Sequence, residues 1–302
     1  MGLYSLNGDM PTFNGIPMIG TSQKDFSGST YFVDGNSGSD GSSGKSFAKA
    51  FKTLAKAIAI SNIDIAGSAT RWARRNTIFF TADTTAETLV AFPNKCDVIG
   101  CGSYNANTKA GITGNHAPVN AGNYGTRFFN VWFQAVAVAS PLISLASTSS
   151  GVQFKDCMFD GVVGTTTLAI NNSLSTFMNV QGCTFQGAFA TGNINLATGA
   201  LVQCNISDNT MYGSLGYGIQ TNASTTVAYG GTIQRNFISA AAICINDASS
   251  KFFVTDNNCI TAAAGGAAGA GGIVAGAKMM LRNRLSGSSY ANAEVPALGT
   301  LA

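Results

Sequence analysis

The chain is poor in charge. Of its 302 residues only 10% are Asp, Glu, Lys or Arg, the formal net charge is +3, and no basic run is longer than Arg74-Arg75. A surface that tracks nucleic-acid phosphates needs a dense basic stripe, so nucleic acid is not an expected partner. Long apolar runs are also missing. The Ala/Gly stretch from Thr261 to Ala277 comes closest to a membrane span, but its glycines make it read as a loop plus one small-residue coil, so no membrane insertion is expected. The N-terminus has neither a basic n-region nor an apolar h-region, which predicts synthesis without a signal peptide. Seven cysteines occur without any CxxC, and Cys96 and Cys101 lack a His or a second pair to complete a zinc site. They read as buried thiols. The single histidine, His116, has no Ser or Cys nucleophile motif beside it and reads as a surface residue in a loop, Gly111 to His116, between coils.

What the chain does have is a repeat. Its frame is apolar, any, any, Asn or Cys, any, apolar, as in Phe154-Lys155-Asp156-Cys157-Met158-Phe159 and Ile206-Ser207-Asp208-Asn209-Thr210-Met211. The anchors fall at 131, 157, 183, 209, 236, 257 and 283, with steps of 26, 26, 26, 27, 21 and 26. A period in this range marks a solenoid, which grows in one dimension and overrides a two-domain reading from length. Between anchors lie short runs rich in Val, Ile, Phe and Thr, broken by Gly, Asn and Ser, with no room for two helices. A second apolar column begins at Leu142, Leu168, Ile194, Tyr217, Ile243 and Gly272. Each coil therefore carries at least two short strands, stacked on the next coil at about 4.8 Å. The expected fold is an all-β parallel β-helix of about 26 residues per coil.

The residues just before the anchors are Asn130, Asp156, Gly182, Asp208, Arg235, Asp256 and Arg282. Five of the seven are types that tolerate a left-handed backbone, which would turn the chain sharply between two strands. A structural ladder is expected along the anchors, with Asn209, Asn236, Asn257 and Asn283 bonding between coils and Cys157 and Cys183 replacing them as small buried groups.

Residues 1–28 read as an arm outside the solenoid, 29–96 as an entry strand, capping helix and first coils, 97–285 as the β-helix and 286–302 as a tail. Thr77 to Phe80, Thr88 to Val90 and Asp97 to Gly100 are expected to begin the coils. The capping helix would place Phe47, Phe51, Leu54 and Ile58 on one face, with Lys49, Lys52 and Lys56 pointing away and Ser46 or Thr53 as N-cap. The loop from Asp34 to Gly44 alternates oxygen-bearing residues and glycine. Asp34, Asn36 and Asp40 are the candidate metal ligands, as an alternative to a plain turn-rich loop, but the closing Glu of an EF-hand loop is absent.

Tyr31-Phe32-Val33-Asp34, the Gly/Asp loop and Ala50 to Ile58 resemble the entry segment of pectate-lyase-like right-handed β-helix proteins, a segment that recurs in bacteriophage virion proteins and tailspikes. The resemblance, over roughly residues 29–285, implies a right-handed coil with an N-terminal capping helix and, by analogy with parallel phage β-helix trimers, a homotrimer. Because the tail after Leu285 has no amphipathic period, a neighbouring subunit or the draped tail would cover the last coil.

Members of this family that cleave polysaccharide generally use paired carboxylates, or calcium with a basic residue. A carboxylate pair must stand about 5 Å apart for retention or roughly 6.5–9.5 Å for inversion. Asp156 and Asp208, with Asp160 as the other conceivable partner, are the alternative catalytic set. In one column, two coils would separate Asp156 from Asp208 by roughly 10 Å, and the turn position already accounts for both. Phe128, Trp132, Tyr212 and Tyr217 are candidates for stacking on sugars, with core packing the default for Phe128. The expected function is a non-enzymatic structural part of a phage virion, made in the host cytoplasm. It would be a decoration or fibre protein, with the head favoured, held to other virion proteins through residues 1–28, and no cofactor is expected. The alternative is a tailspike-type protein that binds or cleaves host surface polysaccharide.

Overall fold

The computed structural model describes residues 27–286, apart from breaks at 68–73, 82–84, 103–108, 120–123, 146–149, 163–164, 198–201, 224–229, 241, 250, 262–272 and 276–278. It also describes a short antiparallel pair, Thr12–Phe13 with Ile16–Pro17. The rest of the arm over 1–28 and of the tail over 286–302 lies outside the described residues.

The chain winds into a right-handed parallel β-helix. Three sheets run along its length among the described residues: sheet 1 with ten strands from Ser27–Val33 to Met279–Leu281, sheet 2 with nine from Thr85–Ala86 to Arg284–Ser286, and sheet 3 with six from Ile143–Leu145 to Ile273–Ala275. One coil shows the pattern: Gln153–Lys155 in sheet 1, a turn, Met158–Gly161 in sheet 2, then Leu168–Asn172 in sheet 3. The second apolar column of the sequence is sheet 3.

Period-2 alternation sends one apolar column per sheet into the core. In sheet 1 it is Phe128, Phe154, Val180, Ile206, Ile233 and Val254; in sheet 3 it is Ile143, Ile170, Ile194, Ile219, Ile245 and Ile273. In sheet 2, Phe133, Phe159 and Phe185 stack coil on coil with ring centroids 5.4 and 4.7 Å apart and planes 8° and 18° from parallel. Phe154 meets Phe133 and Phe159 edge-on across the core. Each such side chain contributes roughly 1.5–3 kcal/mol by leaving water.

All seven residues preceding the anchors have positive φ, between 52° and 66°, including Arg235 and Arg282. At five of them the N–H bonds the carbonyl of the corresponding strand one coil on: Asn130 to Lys155, Asp156 to Gln181, Gly182 to Ser207, Asp208 to Gln234 and Arg235 to Thr255. A second left-handed column, not evident in the sequence, leads into sheet 1 through Lys95, Gly125, Gly151, Phe177 and Gln203. It uses the same bond: Lys95 to Tyr124, Gly125 to Ser150, Gly151 to Thr176, Phe177 to Val202.

The entry departs from expectation in where it places Phe47 and Phe51. Ser27–Val33 pairs directly with Arg75–Thr81, so residues 34–74 are an insertion between the first two strands of sheet 1. Helix α1 (Leu54–Gly67) starts after Thr53, whose Oγ1 accepts the Lys56 N–H at 3.2 Å, and buries Leu54, Ala57, Ile58, Ser61 and Ile65. Phe47 and Phe51 are not on it: Ala50 is extended, Phe47 sits in a 3-10 turn (Phe47–Lys49), and Phe51 pairs with Val33. Segment 44–51 thereby covers the first strand of sheet 1, with Phe32 N–H bonding the Gly44 carbonyl and Phe51 N–H the Phe32 carbonyl. Glu87 ties α1 to the first coil, its two carboxylate oxygens accepting the N–H groups of Leu54 and Ala55 at 2.9 and 2.8 Å. Those are orphan donors at the positive end of the helix, where a carboxylate is stabilising.

In the first coils the sheet 2 strand is Thr85–Ala86, not Thr88 to Val90, and Ala110–Thr113 is a strand rather than a loop. His116 is not at the surface. It is fully buried, bridges to Ile143 and lies edge-on to Phe133 at 5.6 Å.

Phe159→Ala should cost about 3–5 kcal/mol, the range for removing a fully buried ring that neighbours cannot refill. Urea unfolding followed by far-UV circular dichroism checks it, and a loss below about 1 kcal/mol would show that the stacked rings do not carry the core.

Candidate functional site

The outer ridge formed by the first turn column holds most of the candidate carboxylates. Asp208 receives a bidentate clasp from Arg235, Nε to Oδ1 at 2.6 Å and NH2 to Oδ2 at 2.9 Å, and Gln181 Nε2 donates to it at 3.4 Å. Asp256 is held the same way by Arg282, at 2.6 and 3.0 Å. These hydrogen bonds keep both carboxyls below the usual carboxylate range. A general acid needs the opposite shift.

Asp156 stands two coils from Asp208, and its Oδ1 lies over Gly182, only 2.5 Å from where a Cβ would be. Asp160 is on sheet 2 rather than on the ridge, paired in register with Gln134 and Gln186, and accepts a bond from Gln186 Nε2 at 3.2 Å. Among the described residues no hydrogen bond joins Asp156, Asp160 and Asp208 to one another. Asp160 and Asp208 are partnered by amides and a guanidinium on neighbouring coils.

The loop carboxylates are engaged by the chain itself. Asp34 Oδ1 accepts the N–H groups of Asn36 and Ser37 at 3.0 and 3.1 Å, an Asx turn. Asp40 accepts the N–H groups of Lys52 and Thr53, both at 2.9 Å, and the Thr53 hydroxyl at 2.9 Å. Asp34, Asn36 and Asp40 thus shape the loop and pin it to the start of α1. No group of three His, Cys, Asp or Glu side chains that could hold a metal occurs among the described residues.

Inside the turn runs the anchor column. Asn209 N–H and Nδ2 both donate to Asn236 Oδ1, at 3.1 and 2.9 Å, while Nδ2 also donates to the Val180 carbonyl at 2.9 Å. Asn236 repeats this with Asn257 and Ile206, and Asn257 with Asn283 and Ile233. Asn283 donates to Val254 at 2.8 Å. The cysteines occupy the same place. Cys183 and Cys157 Sγ donate to the carbonyls of Phe154 and Phe128 at 3.4 and 3.5 Å, and Cys183 N–H donates to Asn209 Oδ1 at 2.9 Å. Burial pushes the Cys183 thiol well above its usual range, so it is a donor and not a nucleophile.

Of the aromatic candidates, Phe128 is core. Trp132 on sheet 2 and Tyr217 on sheet 3 are half-buried, Tyr217 with its hydroxyl pushed up to about 12 by burial, and Tyr212 is exposed beside Phe237. Trp132 and Tyr212 share sheet 2 but stand three coils apart, Tyr217 is on sheet 3, and the three form no row. Two polar rows were missed that do form on the outside: Asn171, Asn195 and Asn222 joined at 2.8 and 3.1 Å, and Asn179 with Asn205 at 3.1 Å. Recurrence of Asn at 24 to 27 residues was their signal. Asp97, bonded by Arg75 at 2.8 Å and Arg127 at 2.7 and 2.6 Å, was missed too.

Among solved structures the chain is similar to the tailspike protein of the Acinetobacter phage vB_ApiP_P1, at 12% identity and a TM-score of 0.35, over 74% of this chain and 55% of that one. No family model and no curated protein matches the chain. This chain spans about half the length of that tailspike.

Two tests follow from the buried polar groups. Asn236→Ala leaves Asn209 donors and the Ile206 carbonyl unpaired and should cost about 1–3 kcal/mol, whereas Cys183→Asn should stay within about 1 kcal/mol of the parent. Equal losses in urea titrations of the two variants would refute the equivalence of thiol and amide. The second concerns His116, whose pKa is lowered by burial to about 3 from the ordinary 6.5. Below 6.5 the unfolded chain takes up a proton that the folded one refuses, so its contribution is complete above 6.5 and is lost progressively down to about 3. His116→Leu orphans the Leu89 N–H that Nδ1 accepts at 3.1 Å, and should be less stable than the parent at pH 7 by about 1 kcal/mol. At pH 4 the order should reverse, which thermal melts at the two pH values will read directly.

Proposed function

We propose that this chain is a non-enzymatic β-helix rod of a phage virion, attached through residues 1–28, with a head decoration or fibre favoured and a homotrimer as its working form. The observation that carries the reading is the use made of the outer carboxylates: Asp208 and Asp256 are clasped by arginines, and Asp160 is bonded by Gln186. Asp156 sits on the turn over a glycine. Side chains that cleave glycosidic bonds need a raised acid facing a second carboxylate across one sugar linkage, and the ridge is built for coil-to-coil cohesion instead. The resemblance of the entry segment to that of phage β-helix proteins supplies the virion context, and a neighbouring copy or the tail would cover the strand edges of the last coil.

A second reading, a tailspike-type protein that binds or cleaves surface polysaccharide, is favoured by the outward amide row Asn171, Asn195 and Asn222, whose amides are of the kind that bond sugar hydroxyls. Electron cryo-microscopy of intact particles, with the protein located by a fused tag, distinguishes head from tail. Incubation of the purified chain with host surface polysaccharide should release no reducing ends. Release of reducing ends that Asp156→Asn abolishes would replace the structural reading with the enzymatic one.

A further inference from the structure

The outer face of sheet 1 changes character along the solenoid. One outward column reads, in register, Phe32, Phe79, Ile99 and Phe129, then Lys155, Gln181, Ser207, Gln234 and Thr255. Its first four members are apolar and half-buried although they point away from the core. Phe32 and Phe79 stack at 5.6 Å, and Phe47 lies on Phe32 at 4.5 Å while remaining 51% exposed. The insertion that covers the edge of sheet 1 thus also places an aromatic ring at the head of this stripe. The interior needs none of these rings, and the later coils show that the position accepts polar residues. Contiguous outward apolar surface of this kind marks an interaction site.

The charges beside it say what would cover it. Lys49, in the same 3-10 turn as Phe47, and Lys155, the register neighbour of Phe129, stand at the two ends of the stripe, both exposed. Neither is in an ion pair among the described residues. The carboxylates of this end are already committed: Asp97 to Arg75 and Arg127, Asp64 to Arg74, Glu87 to the helix N-terminus and Asp40 to backbone N–H groups. From Phe32 to Lys155 is four coil steps, about 19 Å at the inter-strand spacing.

We propose that this stripe docks a segment of another protein whose apolar core is flanked on both sides by Asp or Glu. The apolar residues would cover Phe47, Phe32, Phe79, Ile99 and Phe129, and the acids would meet Lys49 and Lys155. This surface does not depend on the virion reading.

The test uses the full chain and two fluorescein-labelled twelve-residue peptides with the same Leu/Phe/Val core, one flanked by Asp and Glu and the other by Lys, in fluorescence anisotropy. The acid-flanked peptide should bind about tenfold tighter or more, with the advantage shrinking as salt is raised, as charge complementarity at a rim requires. The exposed-site variant Phe47→Ser should weaken it, and Lys49→Glu with Lys155→Glu should reverse the preference. Equal binding of the two peptides, or none, overturns the proposal. So does light scattering in which Phe47→Ser turns an oligomer into a monomer, since the occupant is then a second copy. Binding to phosphatidylglycerol vesicles that Phe47→Ser abolishes, without peptide binding, overturns it in favour of a membrane.

Discussion

The interaction on which the rest of this structure depends is the hydrogen bond from a left-handed turn residue to the carbonyl one coil on. It recurs at Asp156, Gly182, Asp208 and Arg235 and, in a second column, at Lys95, Gly125, Gly151 and Phe177. A positive φ turns the N–H along the solenoid axis, so the corner joins the same coil-to-coil bonding as the strands. Without it each corner would leave a donor unpaired on every coil. The same geometry sends the turn side chain outward and the next side chain, the anchor, inward. Ridge and core column are two consequences of one backbone conformation.

That conformation explains the chemistry of the ridge. Asn, Asp and Gly adopt it readily, while for Arg it costs roughly 1–2 kcal/mol. Arg235 and Arg282 nevertheless adopt it, at 53° and 52°, and each clasps the Asp of the preceding coil. The ion pairs are exposed and individually weak, but they place charge where it cannot disturb the core. Just inside, the anchor column has to satisfy polar groups away from water. An Asn amide offers an acceptor to one coil and donors to another, so identical residues stacked at the coil spacing satisfy one another without any outside partner. A thiol does part of this at Cys157 and Cys183, and Val131 ends the column against the aromatic coils.

The entry end is built differently because it has to cover an edge. The insertion of residues 34–74 lays segment 44–51 along the first strand and seats α1, with Glu87, Asp40 and Asp34 all spent on backbone N–H groups. Acidic residues that look like ligands in the sequence are here the fasteners of a lid. The same insertion delivers Phe47 to the outside of sheet 1, which makes this end of the rod the sticky one.

From residue 131 onward the sequence by itself determined the solenoid, its coil length, the anchor column and the position of sheet 3, because every coil must meet its neighbour at one fixed spacing and the pattern has to recur. Before Asn130 the strands were misplaced at Thr88 to Val90 and Gly111 to Thr113, since the early coils share no anchor motif that would reveal their period. Tertiary structure alone decided the fate of single groups. Whether His116 met water depended on Ile143 and Phe133 of the next coil, and whether Asp208 was an acid or a clasped anion depended on Arg235, 27 residues away. Those neighbours are set by coil register, which brings together residues that no local pattern links.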